Sequence, residues 1–394
     1  MGGVCGTRYG SSLRRRIAVL TTGRQDWGIL RSTCALLRDD PAWELRLLVG
    51  GMHLSKAFGK TEFELHADGF KADESLGWID DEGTTLALEQ AGRAVPAVGR
   101  ALERQNPQAL LLVGDRFETA AAAMAATIQR VPIVHLHGGE ETAGSIDNAF
   151  RHAITQLSQL HLVSHEAHKQ RVISMGVDPA NVHVVGAPGL DNLSRPDLPG
   201  VLELSQRLGM DLVAPVVVVT LHPATASSTP QSVEAAALCE AMDAVEATYV
   251  ITLPNTDPGH ALLREVLVRA AEKPRRVAVD ALGSRFYWGL LKAADAMLGN
   301  SSSAIIESSA LGLPAVNIGD RQKGRLRGEN VINVGVDPVA ISAALEHALS
   351  PKTRAAYREL PCPFGGGDSA TLIVDTLRMW KPPFSPVESQ SGVR

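Results

Sequence analysis

Short aliphatic runs, apolar on both faces, alternate along this chain with longer stretches of helical period, and the alternation runs through twice. Residues 17–20, 45–49, 109–113, 133–136, 160–163 and 182–185 form the first set of runs. A strand that is apolar on both faces cannot leave one side in water, so it belongs in a parallel sheet covered by helices on both sides. The stretches 27–38, 84–105, 117–129 and 148–158 read as those helices, giving one doubly wound α/β domain. After the Pro- and Gly-bearing stretch 195–200 the pattern restarts with 216–220, 249–253, 277–279, 296–298, 315–318 and 331–334, a second Rossmann-like domain. The expected organisation is a leader over 1–15, a first domain over 16–195, a second over 196–380 and a tail over 381–394. The last helix is expected to pack back on the first domain, and 195–200 to act as the hinge. Two such open sheets face each other across a cleft at the C-terminal ends of their strands, which is where ligands of these sheets bind.

Composition excludes several classes. The 394 residues are 45% hydrophobic and 21% charged, which describes a globular chain with ample core and two or three domains. The net charge of -5 supplies no basic footprint for nucleic acid, so any phosphate must be met by a local site. The four cysteines, Cys5, Cys34, Cys239 and Cys362, have neither CxxC nor Cys/His spacing, which argues against zinc and disulfides and fits a reducing cytoplasm. The arginines at 14–16 are not followed by an apolar run of signal length, and no stretch suggests a membrane.

Polar residues gather at the expected strand ends. The first domain offers Arg24 in TTGRQD, Asp115 and Arg116 in GDR, and His135, His137 and Glu140 in HLHGGE. The second offers His222 before Pro223, Asn255 in PNTD, and Arg321 in GDRQKGR. The sharpest signal is GNSSSAIIE at 299–307, where an apolar strand gives way to a helix expected over 304–311. Hydroxyls and unpaired N–H groups at a helix start make a seat for a diphosphate, and Glu307 in the following turns is placed to reach a ribose. Plainer roles compete with each of these. Ser301 could be a helix N-cap, Asp147 could cap the helix that carries Arg151, and Asp115 with Arg116 could be an internal ion pair. His135 and His137, two apart on one strand, would face the same way, yet no third residue completes a metal site. Neither GxGxxG nor a Walker A sequence follows the first strand, which disfavours dinucleotide binding and ATP chemistry.

Taken together, GDR at 114–116, HGGE at 137–140, IDNAFRHAIT at 146–155, HPAT at 222–225, GNSSSAIIE and GDRQKGRLRGENV at 319–331 resemble the hydrolysing UDP-N-acetylglucosamine 2-epimerases of sialic-acid-type sugar pathways. The resemblance extends from about residue 17 to about residue 377, in order. It implies a two-domain GT-B fold, with UDP on the second domain, the sugar in the cleft, no metal or nicotinamide cofactor, and a homodimer or homotetramer. By motif match, Asp115 and Asp147 carry over as acid/base carboxylates, with His222 as a catalytic or diphosphate-contacting imidazole. Arg24, Ser301 and Ser302 would hold the diphosphate, Glu307 the ribose, and Tyr287 the uracil, while Arg116, Asn255 and Arg321 lie in cleft motifs. Two positions depart from the pattern. His137 stands where many relatives have a catalytic Glu, and Asn148 replaces an acid that commonly follows Asp147. An imidazole still exchanges protons, so His137 is retained as a catalytic candidate.

The implied reaction suits these residue types. Expelling UDP from C1 builds oxocarbenium character that acidifies the C2 proton; anti elimination then gives a glycal, which water hydrates with acid/base groups on both faces. A non-hydrolysing 2-epimerase, a GT-B glycosyltransferase and a non-catalytic UDP-sugar sensor would share the nucleotide cradle, and they differ in whether UDP is released and where it goes.

Overall fold

The structure, a computed structural model, describes residues 14–141, 146–223, 229–254, 260–280 and 282–384. Seven parallel strands form the first sheet: β1 Arg15–Thr21, β2 Trp43–Gly50, β3 Glu74–Leu76, β4 Ala109–Val113, β5 Ile133–Leu136, β6 Leu160–Val163 and β7 Val182–Val184, in the order β3-β2-β1-β4-β5-β6-β7. Six parallel strands form the second: β8 Val216–Thr220, β9 Thr248–Thr252, β10 Arg276–Val279, β11 Ala296–Gly299, β12 Ala315–Ile318 and β13 Val331–Val334, in the order β10-β9-β8-β11-β12-β13. Helices interleave the strands, so the fold is α/β with two Rossmann-like units.

Alternate residues of each central strand enter different cores. Ile17 and Val19 join one cluster while Ala18 and Leu20 join another, and Val217 and Val219 separate in the same way from Val216 and Val218. This two-sided burial is the physical reason those strands read as unbroken aliphatic runs. Strand order reverses between β1 and β4 in the first sheet and between β8 and β11 in the second, and each reversal opens a crevice at the strand ends. The tips at these two crevices carry Arg24, Asp115, His222 and the serine loop.

The final helix, Ser369–Met379, leaves the second unit and lies on the first. Its Ile373, Val374 and Leu377 are buried in the cluster that holds Ile17, Leu30 and Trp43. Asp191, in the 3-10 segment Pro188–Ser194, accepts hydrogen bonds from Ser369 N at 3.0 Å and Ala370 N at 2.6 Å and so fixes the start of that helix. Arg15 donates to the Leu377 carbonyl at 2.7 Å and stacks 4.6 Å over the Trp43 ring. Arg195, following the 3-10 segment, is tied to Asp68 at 3.0 Å and Asp197 at 2.9 Å.

Two local expectations are corrected. The helix expected over 304–311 is a 3-10 turn, Ser302–Ala304, followed by a five-residue helix, Glu307–Leu311. Ser308 and Ser309 hydrogen-bond back to the carbonyls of Ala304 and Ile305 at 2.8 and 2.7 Å, a pattern that competes with a regular helix. The second concerns His137, which does not continue the strand of His135. β5 ends at Leu136, His137 takes a left-handed φ of 62°, and buried His135 turns its Nε2 to the Gly114 carbonyl at 2.8 Å. The two imidazoles therefore do not share a face, and among the described residues no group of three or more His, Cys, Asp or Glu comes together for a metal.

Candidate active site

A cleft of about 410 Å³ is lined from the first unit by Arg24, Glu64 and His137, and from the second by His222, Tyr287, Ser301, Ser302 and Glu307. Asp115, Arg116, Asp147 and Arg321 do not line it, and Asn255 lies outside the described residues.

On the second unit, Asn300 organises the wall. Its side-chain oxygen accepts from His222 N at 2.8 Å and its amide donates to the His222 carbonyl at 2.9 Å, fixing the backbone of the loop after β8. Its own carbonyl accepts from Arg321 Nη1 at 3.0 Å and Gln322 Nε2 at 2.8 Å, holding the loop after β12. Arg321 thus stands behind the cleft wall, where its charge acts on His222. Ser301 does cap the 3-10 turn, its hydroxyl accepting from Ser303 N at 3.2 Å. The Tyr287 hydroxyl donates to Ser303 Oγ at 2.7 Å. With so short a helix behind it, an anion here would be held by local N–H groups, hydroxyls and nearby guanidiniums more than by a macrodipole.

Burial dominates the electrostatics of this wall. It pushes the Glu307 carboxyl and the Tyr287 phenol up from their ordinary values. His222 is brought down to about 4, by burial first and then by the charges of Arg321 and Arg24, so its imidazole is neutral at pH 7. Because this folded value lies below the unfolded one near 6.5, the unfolded chain binds the proton more readily, and His222 costs stability as pH falls from about 6.5 towards 4. A histidine-labelled NMR titration is expected to show His222 still neutral at pH 5.5, and a midpoint at or above 6 would contradict this environment.

On the first unit, the GDR motif does not form the internal pair that its adjacency suggests. Asp115 is paired with Arg151, while Arg116 turns to buried Glu118 through bonds of 2.6 and 3.1 Å. Arg151 Nη1 also donates to the Glu140 carbonyl at 2.7 Å and to Asn148 Oδ1 at 2.9 Å, so Asn148 serves as its acceptor. Asp147 is the first residue of helix Asp147–Leu157, whose N-cap position is Ile146, and its charge acts on Arg116. The imidazole of His137 meets Glu140 Oε1 through Nδ1 at 2.7 Å.

Residues 35–378 match the sequence profile of UDP-N-acetylglucosamine 2-epimerases. The chain belongs to this family. A relative named UDP-N,N'-diacetylbacillosamine 2-epimerase (hydrolyzing), from Legionella pneumophila, is 36% identical over 348 residues, 86% of this chain and 90% of its own. A GDP/UDP-N,N'-diacetylbacillosamine 2-epimerase (hydrolyzing) from Campylobacter jejuni is 33% identical over 324 residues, 81% of this chain and 84% of its own. The crystal structure of the UDP-GlcNAc 2-epimerase from Neisseria meningitidis bound to UDP-GlcNAc superposes with a TM-score of 0.78 at 18% identity, covering 92% of this chain and 99% of that one. The epimerase family's two-lobed GT-B architecture is therefore the fold of this chain.

Glu64, Asn300 and Arg151 are site residues that the sequence does not single out, whereas Glu140 stands among the strand-end polar residues of HLHGGE. Glu64 sits on the short helix Glu62–Ala67 with no motif around it. Asn300 reads as a cap, because nothing local shows that its partner is 78 residues away. Arg151 and Glu140 did stand inside recognised motifs, and that was the available signal.

Proposed function

We propose that the protein is a hydrolysing 2-epimerase of UDP-activated 2-acetamido sugars, releasing UDP and a free sugar inverted at C2. The observation that carries this reading is the cleft itself, in which Arg24 and His137 of one lobe face His222, Ser301, Ser302 and Glu307 of the other. Donors suited to a diphosphate thus meet groups suited to proton transfer across a space sized for a nucleotide sugar. In this reading Ser301, Ser302 and Arg24 take the diphosphate, backed by Arg321; Glu307 takes the ribose hydroxyls and Tyr287 the uracil. Neutral His222 sits beside the leaving group. As the C1–O bond breaks, its electron pair leaves with UDP and a base removes the C2 proton, giving a 2-acetamidoglycal. Water then adds its oxygen at C1 while the opposite face returns a proton to C2. We assign the proton transfers to His137, which lines the cleft, and to Asp115 and Asp147, which reach the sugar only if the lobes close on it, with Arg116 and Asn255 as further residues of the cleft motifs.

The names of the relatives at 33% and 36% identity favour a 2,4-diacetamido-trideoxyhexose over N-acetylglucosamine as the sugar. The product would be a mannose-configured amino sugar of the kind used in sialic-acid-type biosynthesis, made in the cytoplasm by a homodimer or homotetramer. The test is incubation in deuterated water with each UDP-sugar, followed by NMR. Expected are free UDP, a free C2-inverted sugar, and one deuterium at C2. Deuterium at C2 with UDP still attached would identify a non-hydrolysing epimerase, and both sugars left intact would reject the proposal.

A further inference from the structure

The first lobe contains a hydrogen-bonded chain whose direction is fixed at one end. Glu140 Oε1 meets His137 Nδ1 at 2.7 Å and Ser164 Oγ at 3.1 Å, and Ser164 Oγ meets His168 Nδ1 at 2.9 Å. Ser164 and His168 are buried, and the side chains of His137 and Glu140 are only 12% and 13% exposed. Burial alone would raise the Glu140 carboxyl; His137 and the nearby Arg325 reverse that and hold it at about 2. As a carboxylate it only accepts, so the proton between it and His137 belongs to Nδ1. Ser164 has one hydroxyl proton and gives it to Glu140, so it must accept from His168 Nδ1–H. Every proton of the chain therefore points at Glu140.

Backbone geometry supports the same end. His137 at φ 62° and Gly139 at φ 77° fold the HGGE segment sharply enough to bring residue 140 back to the ring of residue 137. A Cβ on Gly139 would run into the His168 carbonyl, so this turn is also pressed against the helix that supplies the far end of the chain. The opposite ring atom, His137 Nε2, is buried and has no partner among the described residues, although His137 lines the cleft.

We propose that Glu140 is a positioning residue that holds His137 with its proton on Nδ1, leaving Nε2 as the atom that exchanges a proton with the sugar. The proposal rests on the epimerase reading above. Glu140 and His168 also line a second cavity of about 220 Å³ with Arg171 and Arg325. In this arrangement the imidazole that replaces the usual acid works as half of a carboxylate–imidazole pair. The carboxylate sets the tautomer and stabilises the imidazolium that forms when Nε2 takes a proton, the division of labour known from hydrolase triads.

Two measurements test it. Long-range ¹H–¹⁵N spectra of the histidine-labelled full chain are expected to show His137 as the Nδ1–H tautomer when neutral. In Glu140→Gln, whose amide can donate or accept, that preference is expected to weaken and kcat to fall by about 10²-fold or more, with KM within about threefold. Glu140→Asp, by restoring a carboxylate, is expected to recover part of the loss. A wild-type His137 protonated on Nε2, or a Glu140→Gln enzyme with undiminished kcat, overturns the proposal. Should Glu140→Gln not fold, the wild-type spectrum decides alone. Failure of the epimerase reading is separately visible as wild-type protein that releases no UDP, whatever the tautomer.

Discussion

Asp115→Asn is expected to lower turnover by about 10³-fold and, at the same time, to lower stability by about 3–5 kcal/mol, because two different consequences meet at one carboxylate. Activity falls because the proposed acid/base group is gone. Stability falls because the change removes the carboxylate from the ion pair with Arg151, whose side chain is only 3% exposed. Two other acceptors of Arg151, the Glu140 carbonyl and Asn148 Oδ1, are neutral. Adding Arg151→Met removes the buried guanidinium as well, so the double variant is expected to regain most of the stability in urea unfolding and none of the UDP release. Turnover in Asp115→Asn within tenfold of wild type would show that the carboxylate is structural.

Gly299→Ala is expected to be the most damaging single methyl in the second lobe. Gly299 has a φ of 134° and lies level with Thr220 in the paired strands β8 and β11, and an added Cβ would fall on the Thr220 carbonyl oxygen. That oxygen also accepts from Asn300 N at 3.0 Å, so retreat of one strand breaks the loop that carries the site. A loss of about 3 kcal/mol or more follows from combined backbone strain and overlap in a buried sheet. Urea unfolding measures it, and the displaced His222 loop should depress activity in whatever protein folds. An unchanged unfolding midpoint would mean that the two strands have slack which their register does not show.

This glycine illustrates what the sequence made visible. The serines after it were legible as an anion seat because hydroxyls at a strand end are chemically conspicuous. The reason that a glycine must precede them was not, since it depends on a strand from a segment 79 residues earlier. The same division runs through the fold. All six strands of the second sheet stand out, because each lies inside a core or against it. In the first sheet β3 did not, since its three residues, Glu74, Ser75 and Leu76, bury only the last. At the site, Arg24, His137, His222, Ser301, Ser302 and Glu307 could be named in advance from motif and strand-end position and Tyr287 from the family resemblance, and they converge on one cleft. The network that orients them could not. Asn300 joins two loops, Arg151 joins two motifs, and the pairing of Glu140 with His137 depends on a left-handed backbone at His137 that the strand-like run before it does not announce. Short-range chemistry is written locally, whereas long-range hydrogen bonding is decided by which loops the sheets bring together.

The closing helix has a consequence for how the molecule is made. Ile373, Val374 and Leu377 cover an apolar face of the first sheet, whose strands leave the ribosome long before them. The early half of a nascent chain must therefore wait, greasy face uncovered, until residues 369–379 are translated, so the two halves cannot mature one after the other as beads on a string. Topologically, a segment synthesised after the whole second sheet is a founding member of the first core.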